Sequence, residues 1–473
     1  MSCAGLASQS LSFWEPYMNL AEQLSHYALT LRYDDLPAAV VHKVKQRMVD
    51  SLGCALGSFD ETVVADLRRF AGSVPLDSSS VLGTAQKTSV DVAAFVNGAM
   101  VRYYDFNDGY IAKELGHPSD NIPTCLAVAE AEGASGRELI VAIVLAYEVQ
   151  CRLQDAANLY RLGWDHVNYV LISATLAAGR LMKLSQEQLA HAINIAVNGH
   201  IALRQVRAGE LSAWKGCSAA NAARNGVFSA LLARHGVTGP SPIFEGEMGF
   251  MKQITGAFQL DVQQFGNAEN GDFRILNTLT KLLPMQGEMQ TAVWAALELR
   301  SQLGDLGVIR AVRIDTTEVG YRILGKDPEK WRPASRETAD HSLPYAVARA
   351  LLDGEITASS FAPKKLGEPS VLAFMDKISV YPNDELTALF PAQIPNRVTI
   401  ELISGETLTK QVNAARGSLA TPMDDEDFEN KFRTLLCPLL GVERIDKLLE
   451  CIWRLEGQQG LEALFELAII EAH

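Results

Sequence analysis

The chain has 473 residues, which is too long for one ordinary hydrophobic core and predicts two or more domains. Hydrophobic residues make up 48% of it and charged residues 21%, a balance that excludes a disordered chain. The net charge of −14, from 42 basic and 56 acidic residues, disfavours nucleic acid and anionic membranes as partners, but it permits a local basic pocket for an anionic substrate.

The beginning of the chain lacks the features of a secretion signal. Residues 1–20 have no basic start followed by an apolar block. Farther along, no stretch reaches the roughly 18 apolar residues that span a bilayer. The longest apolar run, Leu139–Val149, is interrupted by Glu148. We therefore expect a cytoplasmic protein without a membrane segment.

The first 260 residues predict one helix after another, because apolar residues recur at helical spacing between cap signals. Pro37 begins one such run, and Ser185 with Gln188 predicts a capping box at the start of another. Asn198 and Gly199 end that helix. The predicted helices span residues 37–52, 89–103, 137–153, 170–184, 186–197 and 218–232.

The pattern changes after about residue 270, where strands alternate with helices. Residues 397–403 alternate, with Val398, Ile400 and Leu402 on one side, and a turn at 404–406 leads into a hairpin partner. The chain becomes helical again after Asp424, so the layout is helical, then α+β, then helical. The predicted elements are strands at 308–316, 378–381, 397–403 and 407–412, helices at 290–303 and 342–352, and an exposed loop at 362–371.

The cysteines suggest no metal or disulfide chemistry. Their number is odd and no two form a C-x-x-C motif, which disfavours a disulfide framework, a zinc site and an iron–sulfur centre. We expect buried reduced thiols, no metal and no cofactor. The seven are Cys3, Cys54, Cys125, Cys151, Cys217, Cys437 and Cys451.

The segment 105–120, DFNDGYIAKELGHPSD, combines carboxylates with a histidine. Pro118 favours an extended conformation for His117, and Ser119 or Asp120 is then placed to cap the helix that follows. A histidine held at a helix entrance near carboxylates can act as an acid or a base. The competing interpretation is a capped loop with a surface histidine.

Three further segments carry isolated ionisable residues. His166 follows a predicted turn and precedes an apolar helix. Lys215 lies among small residues at the start of a predicted helix, where the helix N-terminus favours anions. Lys281 marks the change from the helical to the mixed half, while Arg204 and Arg207 add positive charge in a polar stretch. A structural histidine and surface charges are the alternative interpretations.

Taken together, these segments resemble the MmgE/PrpD family, which includes 2-methylcitrate dehydratases, cis-aconitate decarboxylases and iminodisuccinate epimerases. One short motif would be weak, but six blocks in family order over most of the chain are specific. The blocks are MVDSLGCALG (48–57), DFNDGYIAKELGHPSDN (105–121), GWDHVNYV (163–170), WKGCSAANAARNG (214–226), KLLPMQGEMQTAV (281–293) and ADHSLPYAVARALLDGEI (339–356).

The resemblance implies a mainly α fold of two domains. Residues 1–270 and 415–473 would form a large all-helical domain, and residues 271–414 a smaller α+β lid domain. The active site would lie between them, commonly in a homodimer. This agrees with the helical, α+β, helical layout of the predicted elements.

By motif position, the resemblance implies a site built from several distant segments. Asp165 could occupy the position that we assign to His166. The implied catalytic residues are Asp105, His117, His166, Lys215 and Lys281. The residues predicted to contact the substrate are Asp108, Arg204, Gln286 and Tyr345.

Within the family, the motifs are more similar to those of the dehydratases. The runs GHPSDN (116–121) and QTAV (290–293) resemble the methylcitrate dehydratases. Residues 285–287, Met-Gln-Gly, replace the histidine or cysteines that decarboxylase-like members often carry there. The stretch 207–214 is shorter than is usual for the dehydratases, which leaves the substrate open.

The expected function is that of a cofactor-independent lyase in propionate catabolism. It would remove water from a 2-hydroxy tricarboxylate such as 2-methylcitrate, giving 2-methyl-cis-aconitate. Lys215 and Lys281 would bind carboxylates, and Asp105, His117 and His166 would share the proton transfers. The alternatives are an epimerase or isomerase, a decarboxylase of a related di- or tricarboxylate, and a helical interaction protein with a degenerate pocket.

Overall fold

The computed structural model describes residues 18–471. The predictions on a secretion signal and on Cys3 lie outside these residues. No helix in this range is long and apolar enough to cross a membrane. All six cysteines within it are free; five are buried as predicted, but Cys437 is exposed.

The first part of the chain is helical, as predicted. Serine side chains begin two of its helices: Ser135 with Glu138, and Ser185 with Gln188, form capping boxes that satisfy backbone N–H groups. Two short hairpins interrupt the helices, β1–β2 and β3–β4. The helices are α1 (Leu20–Thr30), α2 (Ala38–Gly57), α3 (Thr62–Gly72), α4 (Val90–Arg102), α5 (Ile122–Ala131), α6 (Gly136–Ala156), α7 (Val167–Leu181), α8 (Gln186–Gly199) and α9 (Trp214–Arg234), and the strands are β1 (Pro75–Ser80), β2 (Lys87–Thr88), β3 (Tyr110–Ile111) and β4 (Leu115–Gly116).

Small residues let α4, α7 and α9 pack closely. A Cβ atom on Gly98 of α4 would lie 2.9 Å from the Cβ of Ala220 on α9. A Cβ atom on Gly226 would lie 3.0 Å from the backbone nitrogen of Thr175 on α7. Because the backbones approach so closely, the start of α9 lies beside the end of α4.

The second part surrounds a four-stranded mixed sheet. Its strands are, in spatial order, β6 (Ile378–Pro382), β5 (Ile309–Thr316), β7 (Asn396–Leu402) and β8 (Thr407–Val412). β5 pairs with β6 in parallel and with β7 antiparallel, and β7 forms the predicted hairpin with β8. Val398 and Ile400 are fully buried on one face of β7, as the alternation predicts. The elements are α10 (Gln290–Arg300), β5 (Ile309–Thr316), α11 (Glu318–Leu324), α12 (Arg336–Ala339), α13 (Leu343–Asp353), α14 (Pro363–Leu366), α15 (Pro369–Met375), β6 (Ile378–Pro382), α16 (Asp384–Thr387), β7 (Asn396–Leu402) and β8 (Thr407–Val412).

The last helices return to the first part of the chain. They are α17 (Asp425–Leu436), α18 (Val442–Trp453) and α19 (Glu462–Ala468), and Phe432 of α17 packs against Gly53 of α2. One hydrophobic core extends over residues 20–275 and 423–470, and a second over residues 283–400. The chain is therefore mainly α, with a small mixed sheet in its second part; the domain boundaries stay predictions.

Three local predictions were wrong. Neither Ser119 nor Asp120 caps α5, because a 3-10 helix over Pro118–Asn121 precedes it and Asn121 is the N-cap residue. The predicted loop 362–371 contains α14 and the start of α15. The helix predicted from residue 218 begins four residues earlier, at Trp214, which brings Lys215 into its first turn.

Candidate functional site

A cavity of about 340 Å³ lies between the two hydrophobic cores. The β3–β4 hairpin forms part of its wall, and the segment 286–288 and α11 contribute from the second core. Four of the five predicted catalytic residues line it, and the fifth, Lys215, lies behind the wall. The four are Asp105, His117, His166 and Lys281.

Asp105 is an acid surrounded by cations. Its carboxylate forms ion pairs with Arg102, with Lys281 at 2.8 Å and with Lys215 at 3.5 Å. Burial alone raises the pKa of the Asp105 carboxyl, but these cations outweigh it and hold the pKa well below its usual value. The backbone has a φ of 49°, a strained left-handed conformation that Asp tolerates better than most residues.

Backbone pairing holds Lys281 beside Asp105. Gly109 and Leu279 exchange two hydrogen bonds, at 3.0 and 2.8 Å, which join the segment 105–120 to the strand-like stretch before Lys281. The Lys281 Nζ then donates to the backbone oxygen of Asp105 at 2.7 Å as well as to its carboxylate. Burial, with Arg102 and Lys215 nearby, lowers the pKa of Lys281 to about 8.

Lys431 of α17 contacts both the segment that follows Asp105 and the segment that contains Lys281. Its Nζ donates to the carboxylate of Asp50 at 2.6 Å and to the backbone oxygens of Phe106 and Lys281, each at 2.8 Å. The C-terminal helices therefore help to position residues 105 and 281. Sequence analysis missed this residue because an isolated lysine in a charged helix carries no local signal.

His117 adopts the predicted extended conformation, with φ −124° and ψ 91°. Its Nδ1 lies 2.6 Å from the backbone oxygen of Asp108, and its Nε2 lies 3.0 Å from an Arg102 nitrogen. A carbonyl only accepts and a guanidinium only donates, so this geometry assigns the proton to Nδ1. Burial and Arg102 lower the pKa of His117 well below its usual value, so the ring is neutral.

His166 and Asp165 point to different partners. The Asp165 carboxylate accepts a hydrogen bond from Arg207 at 3.0 Å, whereas His166 lines the cavity beside His117, with ring centroids 5.8 Å apart. The His166 Nδ1 is buried and has no hydrogen-bond partner within residues 18–471. Burial, then Arg207, lowers the pKa of His166 to about 3. Of these two residues, His166 is therefore the one that can offer an unpaired nitrogen to a ligand in the cavity.

Lys215 links the acids of the two parts of the chain. Its Nζ lies 3.5 Å from the Asp105 carboxylate and 3.4 Å from that of Asp340, and the side chain is almost fully buried. An amine at this distance from two carboxylates stabilises both negative charges. Because Lys215 lies behind the cavity wall, its positive charge would stabilise a bound anion electrostatically.

His341 is a cavity residue that sequence analysis missed. Its Nδ1 lies 2.5 Å from the Asp340 carboxylate, and its Nε2 lies 3.6 Å from that of Asp105. Burial, then Lys215, lowers the pKa of His341 to about 4 against the opposing effect of Asp340 and Asp105. The signal was present in the block ADHSLPY (339–345), from which only Tyr345 was selected. Arg102, three residues before Asp105, was missed for a different reason: it lies outside the motif blocks, and no local pattern shows that it is buried.

Of the four residues predicted to contact the substrate, two line the cavity and two do not. Arg204 and Gln286 line the cavity. Asp108 does not, because its carboxylate accepts hydrogen bonds from Ser119 N at 3.0 Å and Tyr147 Oη at 2.8 Å inside the helical core. Tyr345 does not either: its hydroxyl donates to the Ser360 backbone oxygen at 2.8 Å. Asp108 and Tyr345 therefore do not line this cavity, and their contact with a substrate stays a prediction.

One group of side chains in residues 18–471 has the spacing of a metal site: Asp105, Asp340 and His341, with ligand atoms within 4.8 Å of one another. The same carboxylates already pair with Lys215, and Asp105 pairs with two further cations. A divalent cation would have to compete with these fixed positive charges. The cluster therefore suits protein cations and a bound anion better than a metal.

The fold and the cavity define a mainly α protein with a buried, cation-rich pocket between a helical core and a smaller mixed core. The chain belongs to the MmgE/PrpD family. The family model for the MmgE/PrpD N-terminal domain matches residues 22–263, and that for the C-terminal domain matches residues 284–456.

Named relatives cover most of the chain. A 2-methylcitrate dehydratase of Escherichia coli K12 is 30% identical over 76% of this chain and 77% of its own length. One of Cupriavidus necator is 29% identical, over 80% and 81% of the two chains. The cis-aconitate decarboxylase-like protein oryM of Aspergillus oryzae is 26% identical over 96% of this chain and 98% of its own. The similarity to these relatives thus supports the general class of the family, which is that of dehydratases.

Proposed function

We propose that this protein is a cofactor-independent hydro-lyase that dehydrates a 2-hydroxy tricarboxylate such as 2-methylcitrate to 2-methyl-cis-aconitate. The observation that carries the proposal is the charge of the cavity wall. Arg102, Arg204, Arg207 and Lys281 all line it, with Lys215 immediately behind. So many converging cations suit a substrate with several carboxylates.

The chemistry requires a base and preorganised positive charge. A base removes a proton from the carbon next to a carboxylate, and negative charge develops on that carboxylate. Lys281 and Arg102 are held in place by Asp105 before any substrate arrives, so they stabilise this charge without rearranging. Closure of the smaller α+β unit over the substrate would exclude water.

The contacts favour two histidines as the base. The Asp105 carboxylate is already paired with three cations, and both ring nitrogens of His117 are engaged. His166 and His341 line the cavity and are neutral at pH 7, since their pKa values are about 3 and about 4. Asp340 orients the His341 ring so that Nε2 is free to accept a proton.

Decarboxylation of a related acid is the second candidate. The Aspergillus relative named cis-aconitate decarboxylase-like covers 96% of this chain, more than either dehydratase named above. Against it, Met285, Gln286 and Gly287 stand where decarboxylase-like members often carry histidine or cysteine. We therefore rank dehydration first.

The test is a panel of acids with three readouts. Purified enzyme is mixed with 2-methylcitrate, citrate, cis-aconitate or iminodisuccinate, and alkene absorbance, carbon dioxide release and deuterium exchange from solvent are followed. We expect alkene formation from a hydroxy tricarboxylate, and a fall of at least about 100-fold in Lys281→Ala and His341→Asn. The exposed Lys364→Ala is the control. Carbon dioxide release from cis-aconitate, or proton exchange into iminodisuccinate without water loss, would replace the proposal by a decarboxylase or an epimerase.

We further propose that the protein is a cytoplasmic homodimer. The family resemblance supports the dimer, and light scattering on the purified full chain is the measurement that checks it. A monomeric mass at micromolar concentration would contradict the proposal.

A further inference from the structure

Glu288 is a buried acid on the cavity wall, within the block KLLPMQGEMQTAV (281–293), from which only Lys281 and Gln286 were selected as site residues. It lies in a 3-10 helix over Gly287–Met289 that leads into α10, and its side chain is 4% exposed. Hydrogen bonds hold both the N–H and the carbonyl group of its backbone. The N–H donates to the Gln286 side chain at 2.7 Å, and the carbonyl accepts from Asn396 Nδ2 at 2.8 Å. The side chain is therefore presented to the cavity from a rigid support.

Glu288 differs from the other acids around this cavity in lacking a cation. Asp105, Asp165 and Asp340 each form ion pairs with lysine or arginine. Glu114 also lines the wall, but its two oxygens accept hydrogen bonds from backbone N–H groups at 3.0 and 3.1 Å. In the described part of the chain, Glu288 forms no ion pair, and its Oε2 accepts one hydrogen bond, from the neutral Gln286 amide at 3.2 Å.

Such an environment favours the protonated form of a carboxyl group. Burial raises the pKa of Glu288 to about 7, although Gln286, Arg204 and Lys281 each lower it. The other charged or titratable groups of this wall that face the cavity from neighbouring elements include Arg322, Lys330, His341 and His117. Because the pKa lies above its usual value, the acid form is present below about pH 7 and is lost above it.

We propose that Glu288 is the general acid that protonates the departing hydroxyl group of the substrate. This inference rests on the proposed dehydration. The base takes a proton from the carbon next to a carboxylate, and that C–H electron pair forms the alkene. The C–O bond breaks with its electrons on oxygen, and the Glu288 proton converts the leaving group to water. The base then releases its proton to solvent, and Glu288, left as a carboxylate, takes one up, which restores both groups.

The decisive variant is Glu288→Gln, which keeps the shape and the hydrogen bond to Gln286 but cannot donate an acidic proton. We expect kcat for dehydration to fall by about 10²–10⁴-fold with little change in KM. Elimination of fluoride from the analogue with fluorine in place of the hydroxyl needs no such proton, so the variant should retain it. Glu443→Gln, an exposed exchange of the same kind, is the control.

The pH profile and the infrared spectrum give independent readouts. Wild-type kcat should decline above about pH 7, and in Glu288→Gln the residual rate should lack this limb and decline only near pH 8, where Lys281 loses its proton. Burial also raises the pKa of Asp120 to about 7, so the readout is the difference between the infrared spectra of the wild type and Glu288→Gln. In this difference spectrum the band of a protonated carboxyl should be present at pH 5.5 and absent at pH 9. Should that variant misfold, Glu288→Asp should keep the band and lower kcat.

The outcomes separate the inference from the proposed function. Retained dehydration in Glu288→Gln, or an equal loss of water and fluoride elimination, overturns the general acid. If the wild-type enzyme dehydrates none of the acids tested, the proposed function falls. The infrared difference band between the wild type and Glu288→Gln then decides whether Glu288 holds a proton: its absence at pH 5.5 overturns the inference as well.

Discussion

Asp105 is the centre of a buried cluster of charged side chains. Three basic residues, Arg102, Lys215 and Lys281, contact its carboxylate, and all four side chains are almost fully buried. Removing charges from water is costly, and such a cluster is stable only while its charges compensate one another. The cations that we propose for substrate carboxylates therefore depend on Asp105 for their burial.

Replacing Asp105 with Asn should destabilise the protein strongly. The change leaves Arg102 and Lys281 without their ion-pair partner and leaves Lys215 with Asp340 alone. We expect a loss of about 3–5 kcal/mol in the free energy of unfolding, measured by urea denaturation at pH 7. The exposed ion pair of Asp66 with Arg69 provides the control, and Asp66→Asn should cost less than about 1 kcal/mol. Equal losses in the two variants would contradict the interpretation.

The same replacement has a predicted pH dependence. Because the Asp105 pKa is depressed in the folded protein, its contribution to stability is complete above the unfolded value of about 4. It is lost as the pH falls below that value toward the folded pKa. The difference between wild type and Asp105→Asn should therefore shrink below about pH 4, and a constant difference down to pH 2 would contradict it.

At the scale of elements, the close contact between α4 and α9 decides where the site forms. Arg102 is the last residue of α4, and Lys215 is in the first turn of α9. The contact of Gly98 with Ala220 holds these two ends together, although neither residue lines the cavity. Packing and the geometry of the cation cluster are therefore coupled.

Enlarging Gly98 should damage both stability and activity. A valine at this position would contact Ala220 and separate the helices, at a cost of about 1–3 kcal/mol. We expect kcat/KM to fall as well, since Lys215 moves relative to Asp105. Gly199→Ala is the matched control, because nothing lies within 4 Å of a Cβ atom there. Both stability and kcat/KM should be measured; unchanged kcat/KM in folded Gly98→Val would refute the coupling.

At the scale of the whole molecule, the cavity is built from two hydrophobic cores. Asp105 and His117 come from the helical core, and His341 and Glu288 come from the segments around the sheet. Lys215 joins the two by contacting both Asp105 and Asp340. A polycarboxylate in this cavity would contact both cores and favour their association.

A bound polycarboxylate should therefore raise the melting temperature of the whole chain. At a citrate concentration of about 100 times Kd, linkage gives about 2.7 kcal/mol of added stability. Differential scanning fluorimetry should show this increase, smaller at high salt because the cations are screened. Lys281→Met should respond weakly, and Lys364→Ala like the wild type. An equal response in all three proteins would argue against binding in this cavity.

Local sequence patterns were enough to predict most of the elements, and motif order was enough to predict which distant residues share a cavity. Helical periodicity and the Ser185–Gln188 capping box act over a few residues, so the helix and its start could be predicted directly. The alternation in β7 predicted its buried face for the same reason. Motif order then predicted that Asp105, His117, His166 and Lys281 would share one site, and all four line the cavity.

The contacts of each side chain depend on the tertiary structure. Asp108 and Tyr345 stand in family-like blocks but satisfy their hydrogen bonds in the cores, whereas His341 and Glu288 face the cavity. The pKa of Glu288 depends on burial and on the absence of a paired cation in the described structure, which arise from segments distant in sequence. Local sequence patterns predict helices and strands. They do not show which distant residues pack together and exclude water, and the exclusion of water determines the chemistry of the site.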